Sequence, residues 1–324
     1  MDVLCIGEAL IDFVSQVRGV DLVTATQYVA ATGGAPANVA AGLAALGRQA
    51  RLIATVGNDA FGQKIRHDLE AWGVDCQLRV DEEHFTTLAF VKQRAGGDRV
   101  FEFNAGAHDY LLPEQITAED VRAARVLHFG SISLRHPTSR QATLNAVRYA
   151  KEAGVVCSCD PNWRPTLWAD AEAGRAAMCE VLAHTDILKI SDSDLSMLAP
   201  DCGDDYHAGL QAVGFQGRLA TVTLGRAGAW YQAGERFGQV SSPDVKVAES
   251  TGAGDAFLAA LLDVLLAHDL DVASMDDKTL KNAVARACAA GALAATNFGA
   301  TSAIPDAAAI DTMVRMLKLG MDDA

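Results

Sequence analysis

The chain has 324 residues, half of them hydrophobic, enough to bury a large core. Lys and Arg number 27 against 41 Asp and Glu, so the net charge of −14 argues against nucleic acid as a partner. A nucleotide is still compatible, because a few local amides, an Arg and a metal ion suffice to hold a small anion.

In chain order, Val3–Ile6 reads as a buried first strand. The apolar start MDVLCIGEALIDF has no basic flank, and it reads as that strand rather than as a signal peptide. Val14–Ala31 lacks a helical period and contains β-formers. Pro36–Leu46 reads as a helix, with Pro36 in its first turn and Gly47 just past its end. Leu52–Val56 is strand-like, and Phe61–Trp72 is a helix stopped by Gly73. Thr86–Gln93 and Arg99–Phe103 flank the turn Ala95-Gly96-Gly97-Asp98 and read as a hairpin. Strand-like runs return at Val126–Phe129, Val155–Ser158, Ile187–Ile190 and Leu219–Thr223. Long helices are expected at Ala256–Ala267 and in the Ala-rich stretch Asn282–Thr296.

Strands alternating with helices imply an α/β fold, a mostly parallel sheet covered on both faces. The β-rich runs without helices imply a small β-appendage, whose natural use is a lid and whose bland alternative is a surface flap. The organisation expected is one domain over residues 1–324, with lid insertions at about 12–32 and 84–108. Seven cysteines are scattered, with no CxxC pairs and no histidines at zinc spacing, so a zinc site is not expected; Cys157 and Cys159 read as small core residues of a strand, in a reducing, cytoplasmic compartment. No apolar stretch reaches membrane-spanning length uninterrupted, so no membrane partner is expected.

The chemistry concentrates in three segments. In Glu249–Leu258, Gly252 and Gly254 bracket Ala253 just before a helix, a turn that aims amides and the helix dipole at an anion. Asp255 beside it is either a charge favouring the helix N-terminus or the carboxylate that accepts an alcohol proton during phosphoryl transfer. Gly33 and Gly34 permit a close backbone approach, and Asn38 projects from the following helix, either capping a turn or binding a hydroxyl. Asp12, expected just after the first strand, is either buried or a ligand residue at a strand's carboxyl end. In Asp160–Arg164, Arg164 either lies on the surface or neutralises phosphate charge. Gly225–Gly228 gives a GxxG after a strand, a weak nucleotide signal on its own. The chain has neither a GxxxxGK[ST] loop nor the HRD and DFG motifs, which excludes P-loop proteins and protein kinases.

Together these motifs resemble the PfkB (ribokinase-like) carbohydrate kinases. GGAPANVA (Gly33–Ala40), followed by Gly47 and Gly57, is similar to the N-terminal signature, and STGAGDAF (Ser250–Phe257) to the C-terminal one. The resemblance runs from the first strand to about Pro305. Within the family, HFGSISL (His128–Leu134), DPNWRPTLW (Asp160–Trp168) and KISDSDL (Lys189–Leu195) look most like fructokinases.

The resemblance implies an αβα sandwich with a β-lid, ATP and Mg²⁺, and K⁺ near the GAGD loop. It implies Asp255 as base with Gly252, Ala253 and Gly254 as the anion hole. It sets the sugar against Asp12, Gly33, Gly34, Asn38 and Phe103, with Arg164 near the phosphoryl group or the acceptor. Thr223, Gly225 and Gly228 are implied along the nucleotide, and Cys288 near the adenine, where many members have Asn. The family's Asn-x-x-Glu aligns with Ser191–Asp194, so Ser191 falls to the nucleotide and Asp194 to the metal through water. Glu249-Ser250-Thr251 stands where the family often has Asp-Thr-Thr, a departure that bears on the K⁺ site.

The activity implied is ATP-dependent phosphorylation of fructose at O6 or O1, with O6, giving fructose 6-phosphate, the favoured position. The alternatives are a 2-keto-3-deoxygluconate kinase, for which an Arg such as Arg94 or Arg99 must reach the site, then a nucleoside kinase, then a non-catalytic sugar-binding regulator. Lids of the family can pair across a homodimer, and the β-rich appendage is compatible with that.

Overall fold

The structure is a computed structural model and describes residues 1–15, 22–93, 99–297, 299 and 301–322. Its strands are β1 (Val3–Ile6), β2 (Leu10–Ser15), β3 (Tyr28–Gly33), β4 (Ala50–Gly57), β5 (Asp75–Asp81), β6 (Leu88–Gln93) and β7 (Arg99–Asn104), then β8 (Val126–Gly130), β9 (Val156–Asp160), β10 (Ile187–Ser191), β11 (Leu219–Thr223), β12 (Ala229–Ala233) and β13 (Arg236–Val240). The helices are α1 (Ala35–Ala45), α2 (Ala60–Ala71), α3 (Ala118–Arg122), α4 (Pro137–Ala153), α5 (Ala171–Leu182), α6 (Asp192–Leu198), α7 (Tyr206–Ala212), α8 (Ala253–Ala267), α9 (Asp277–Ala294) and α10 (Ala307–Asp322).

Nine strands form the main sheet in the order β13-β12-β11-β10-β9-β8-β1-β4-β5. It is parallel from β11 to β5, and the β12–β13 hairpin adds an antiparallel edge. β1 is wholly buried because its residues serve two cores in alternation. Val3 and Cys5 join the core beneath α1, α8 and α9, while Leu4 and Ile6 join the one beneath α4 and α5. The expected sandwich, with its mostly parallel sheet between two helical layers, is therefore the fold observed.

A second sheet has the order β3-β2-β6-β7. It is built from segments that leave the main sheet after β1 and after β5. Register sets Asp12 opposite Ala89 and Ala89 opposite Phe103, so these three residues form one row across the sheet. The opposite face carries Phe13 stacked on Phe90 at 5.3 Å, with Tyr28 and the α2 residue Phe61 edge-on to them. The turn Ala95–Asp98 and Arg94 lie outside the described residues.

Asp12 does not sit at the end of the first strand as expected. The main sheet is left at Gly7 (φ 141°), and pairing resumes three residues later, so Asp12 is an internal residue of β2 in the smaller sheet. Close packing of the Ala-rich helix is seen at Gly291, where a Cβ would approach the Ala253 carbonyl oxygen to 3.0 Å. All seven cysteines are unbridged, and Cys5, Cys157, Cys159 and Cys288 are buried. Among the described residues no helix is long and apolar enough to cross a membrane.

Candidate active site

The loop before α8 is held from behind. The amides of Ala248 and Glu249 both donate to the Ala295 carbonyl at the end of α9. The buried Glu249 carboxylate accepts from the Gly299 amide (2.8 Å) and from the Thr251 hydroxyl. α8 then begins at Gly252, whose left-handed φ of 77° is strained for any residue with a Cβ, and no side chain caps it. An uncapped helix start leaves amide donors and the positive end of the dipole for whatever occupies the space in front.

Asp255 lies in that first turn, buried, and accepts a 2.7 Å hydrogen bond from Asn38 Nδ2. Burial, and then the charge of Asp160, push its carboxyl up to about 6. The Asn38 bond, Lys189 and Arg164 oppose that rise. Asp160, at the carboxyl end of β9, pairs at 2.7 Å with the equally buried Lys189 of β10. The Lys189 ammonium also explains Gly254, because a Cβ there would lie 2.6 Å from Nζ. Neither Lys189 nor Asp160 was assigned a role from sequence, although each lay in a segment singled out there. No spacing rule marks a lysine in the middle of an apolar strand.

The double glycine is explained in the same way. Gly34 has φ 104°, and a Cβ on it would meet the Glu8 carbonyl oxygen at 2.5 Å. A Cβ on Gly33 would collide with the Asp12 carboxylate. Bare backbone thus lets Glu8 and Asp12 close in on the start of α1, where Glu8 Oε1 accepts from the Ala35 amide at 3.1 Å. Glu8, which sequence reasoning missed, is buried and carries no motif of its own.

These residues share a cavity of about 310 Å³. Its walls include Glu8, Asp12, Gly34, Asn38, Phe103, Asp160, Arg164, Lys189, Ser191, Asp194, Gly252, Gly254 and Asp255. A single space therefore joins Asp255 to the double-glycine segment. Phe103 enters from β7, its ring edge-on to His108 at 5.4 Å. A second cavity of about 780 Å³ lies on the other side of the α8 N-terminus, lined by Thr223, Gly225, Gly228, Ala253, Cys288 and Gly291. Ser250 and Gly254 line both cavities, so the start of α8 is the partition between them.

The two cavities divide two of the expected groupings. Ser191, expected along the nucleotide, lines the first cavity with Asp194, whose amide it caps at 3.0 Å. Ala253, expected in the anion hole with Gly252 and Gly254, lines the second cavity while those two line the first.

Among the described residues no three His, Cys, Asp or Glu side chains converge as a bare metal site. Asp194 and Asp160 nevertheless face one cavity, and the Asp194 carboxyl is raised first by burial and then by the Asp160 charge. A hydrated divalent cation carrying phosphates would relieve that repulsion, so the donor set suits a metal held through water.

Residues 1–307 match the model of the pfkB family carbohydrate kinases. The chain is 36% identical over 316 residues to Fructokinase-2 of Solanum lycopersicum, covering 97% of this chain and 96% of that one. It is 39% identical over 322 residues to Fructokinase-1 of Oryza sativa subsp. japonica, covering 98% and 97%. Among solved structures it resembles a fructokinase with bound ATP from Xylella fastidiosa (TM-score 0.87, 29% identity, 98% of this chain and 99% of that one). It also resembles a fructokinase from Vibrio cholerae O395 with fructose, ADP and calcium bound (TM-score 0.82, 32% identity, 97% and 98%). The chain is thus a phosphotransferase with a sugar hydroxyl as acceptor. The chain belongs to the pfkB family of carbohydrate kinases.

Proposed function

We propose that this kinase transfers the γ-phosphoryl group of ATP to a hydroxyl of fructose, giving fructose 6-phosphate. The observation that carries the reading is Asp255, a buried carboxylate in the first turn of an uncapped helix that separates two cavities. One cavity is polar and lined by side chains able to hold a polyol. The other is larger and suits a nucleotide.

In this reading the sugar lies against Asp12, Gly33, Gly34, Asn38 and Phe103. Asp255 accepts the proton of the attacking hydroxyl, and the amides of Gly252, Ala253 and Gly254 stabilise charge on the moving phosphoryl group. With its carboxyl near 6, Asp255 is mostly ionised at neutral pH and therefore ready to act as a base. Asn38 aims it by holding one oxygen. Arg164 and Lys189 add positive potential, and Lys189 also keeps Asp160 paired. ATP lies along Thr223, Gly225, Gly228 and Cys288, with Ser191 near its phosphates. Mg²⁺, held through water by Asp194 with Asp160 nearby, would neutralise phosphate charge. K⁺ near the GAGD loop remains part of the reading on family resemblance, tested by the dependence of rate on KCl.

The charge balance of the sugar cavity favours a neutral substrate. Its walls carry five carboxylates (Glu8, Asp12, Asp160, Asp194 and Asp255) against Arg164 and Lys189. Lys189 is already matched by Asp160, so a sugar acid would meet net repulsion. We read the whole chain as one domain whose four-stranded sheet closes over the sugar as a lid. The half-buried aromatics Phe13, Tyr28 and Phe90 on its outer face suit lid pairing in a homodimer, which sedimentation would test. A cytoplasmic setting fits the unbridged cysteines.

The test is an ADP-release assay over a panel of sugars. Turnover with fructose is expected. Turnover only with 2-keto-3-deoxygluconate, or fructose binding without ADP release, would replace the proposal with the acid kinase or with a regulator. Identification of the product by NMR fixes the position phosphorylated.

A further inference from the structure

Glu8 lines the sugar cavity, and its two oxygens differ. Oε1 accepts from the Ala35 amide at 3.1 Å, which orients the carboxyl at the start of α1. Oε2 is buried, and among the described residues it has no hydrogen-bond partner. The residue as a whole is only 2% exposed. A buried polar oxygen without a partner is unfavourable, so its retention calls for a ligand. Asn38 Oδ1, on the same cavity wall, is a second buried oxygen without a partner. The backbone supports this placement, because a side chain at Gly34 would displace the Glu8 peptide.

We propose that Oε2 of Glu8 hydrogen-bonds a hydroxyl of the bound sugar, making Glu8 a substrate-positioning and specificity residue. The inference rests on the sugar kinase reading and names a further contact within it. The charged groups that share the cavity with Glu8 are Asp12 on β2, Asp160 and Arg164 at the end of β9, Lys189 on β10, Asp194 on α6 and Asp255 on α8. Burial is the main reason the Glu8 carboxyl is pushed up to about 7. Asp255 adds to the rise, while the backbone bonds and Arg164 oppose it. Near neutral pH a large share of the carboxyl groups therefore keep their proton and donate from Oε2. Asn38 Oδ1 nearby can only accept. A donor and an acceptor on one wall suit a polyol, whose hydroxyls do both.

The experiment uses the full chain with ATP and fructose. Glu8→Ala is expected to raise the KM for fructose roughly 10–100-fold, the loss expected for one buried hydrogen bond to a polar partner, with the KM for ATP within twofold. Glu8→Gln, which keeps both the acceptor toward Ala35 and a donor at the second position, is expected to recover most of that affinity. In a series of mono-deoxy fructoses, one analogue binds poorly to the wild type and loses nothing further in Glu8→Ala. Equal weakening of both substrates in Glu8→Ala, or no dependence on any single hydroxyl, would overturn the inference in favour of a purely capping role. If wild-type protein turns over no sugar in the panel, it is the kinase reading that fails. If it does and Glu8→Ala keeps its fructose KM, only this inference fails.

Discussion

A carboxylate buried as deeply as Asp255 is unfavourable to keep ionised, and the protein offsets that only in part, through Asn38 and the charges of Lys189 and Arg164. Two consequences follow at this residue. Between its unfolded value of 3.8 and its folded value near 6, the folded chain holds a proton that the unfolded chain has released. Stability contributed by this group is therefore full below about pH 4 and is lost as pH rises through about 6. Asp255→Asn removes the buried charge. It is expected to melt no lower than the wild type at pH 7.5, while kcat falls by ~10²–10⁴. A variant with near-normal kcat would remove Asp255 from its role. The second consequence concerns the wild type, whose kcat/KM should rise as pH climbs through about 6, where the base ionises. A profile flat from pH 5 to 8 would contradict this.

Gly33 is the other residue with a sharp expectation. A methyl there collides with the Asp12 carboxylate, so Gly33→Ala should displace Asp12 and raise the fructose KM at least tenfold with little change for ATP. Steady-state kinetics with each substrate varied decides it. Residues such as Gly33, Asn38 and Asp255 were legible in the sequence because small residues at fixed spacing before a helix have few other uses. Glu8 and Lys189 were not, because a single charged residue beside or within an apolar strand carries no pattern until the neighbouring strands are in place.

Among the elements, the buried strands of the main sheet were read within about three residues, since strands covered on both faces are continuous apolar runs. The edges were missed. β5 alternates apolar Cys76, Leu78 and Val80 with polar residues and has exposed, half-buried and buried positions, and β12 and β13 form a partly exposed hairpin. Half-exposed strands of this kind lack the continuous apolar run by which the buried ones were recognised.

The β6–β7 hairpin, by contrast, was found, and its root is tied by a polar network. The Gly106 amide donates to Thr87 Oγ1, and Thr87 Oγ1 lies 2.5 Å from His108 Nδ1. His108 Nε2 lies 3.2 Å from Asp109 without hydrogen-bonding to it, and Asp109 in turn pairs with Arg135. Burial lowers His108 to about 4, so it stays neutral at physiological pH. Arg135→Ala would leave Asp109 without its cation beside a neutral ring. A loss of about 2 kcal/mol or more is expected. Because the hairpin carries Ala89 and Phe103 into the cavity, a rise in fructose KM should accompany it. Urea titration measures the first effect, and a change under 0.5 kcal/mol would show the network to be dispensable.

For the molecule as a whole, both cavities converge on the start of α8, which is pinned by Glu249 to the segment after α9. On the proposed reading, sugar and nucleotide together would brace elements far apart in sequence. At a hundredfold excess over Kd each ligand should add about 2.7 kcal/mol, and the Tm should rise with fructose and with ADP separately. A Tm indifferent to fructose would argue that the first cavity is not its site.

The cysteines give the protein a built-in reporter. Burial holds the thiols of Cys157 and Cys288 at about 12 and those of Cys5 and Cys159 well above their ordinary value, so in the folded state they are poor nucleophiles as well as inaccessible ones. A maleimide or disulfide reagent added to native protein would meet only the less enclosed Cys76, Cys179 and Cys202. Modification of the other four would then proceed at the pace of opening, so a simple colour reaction times how often this enzyme comes apart.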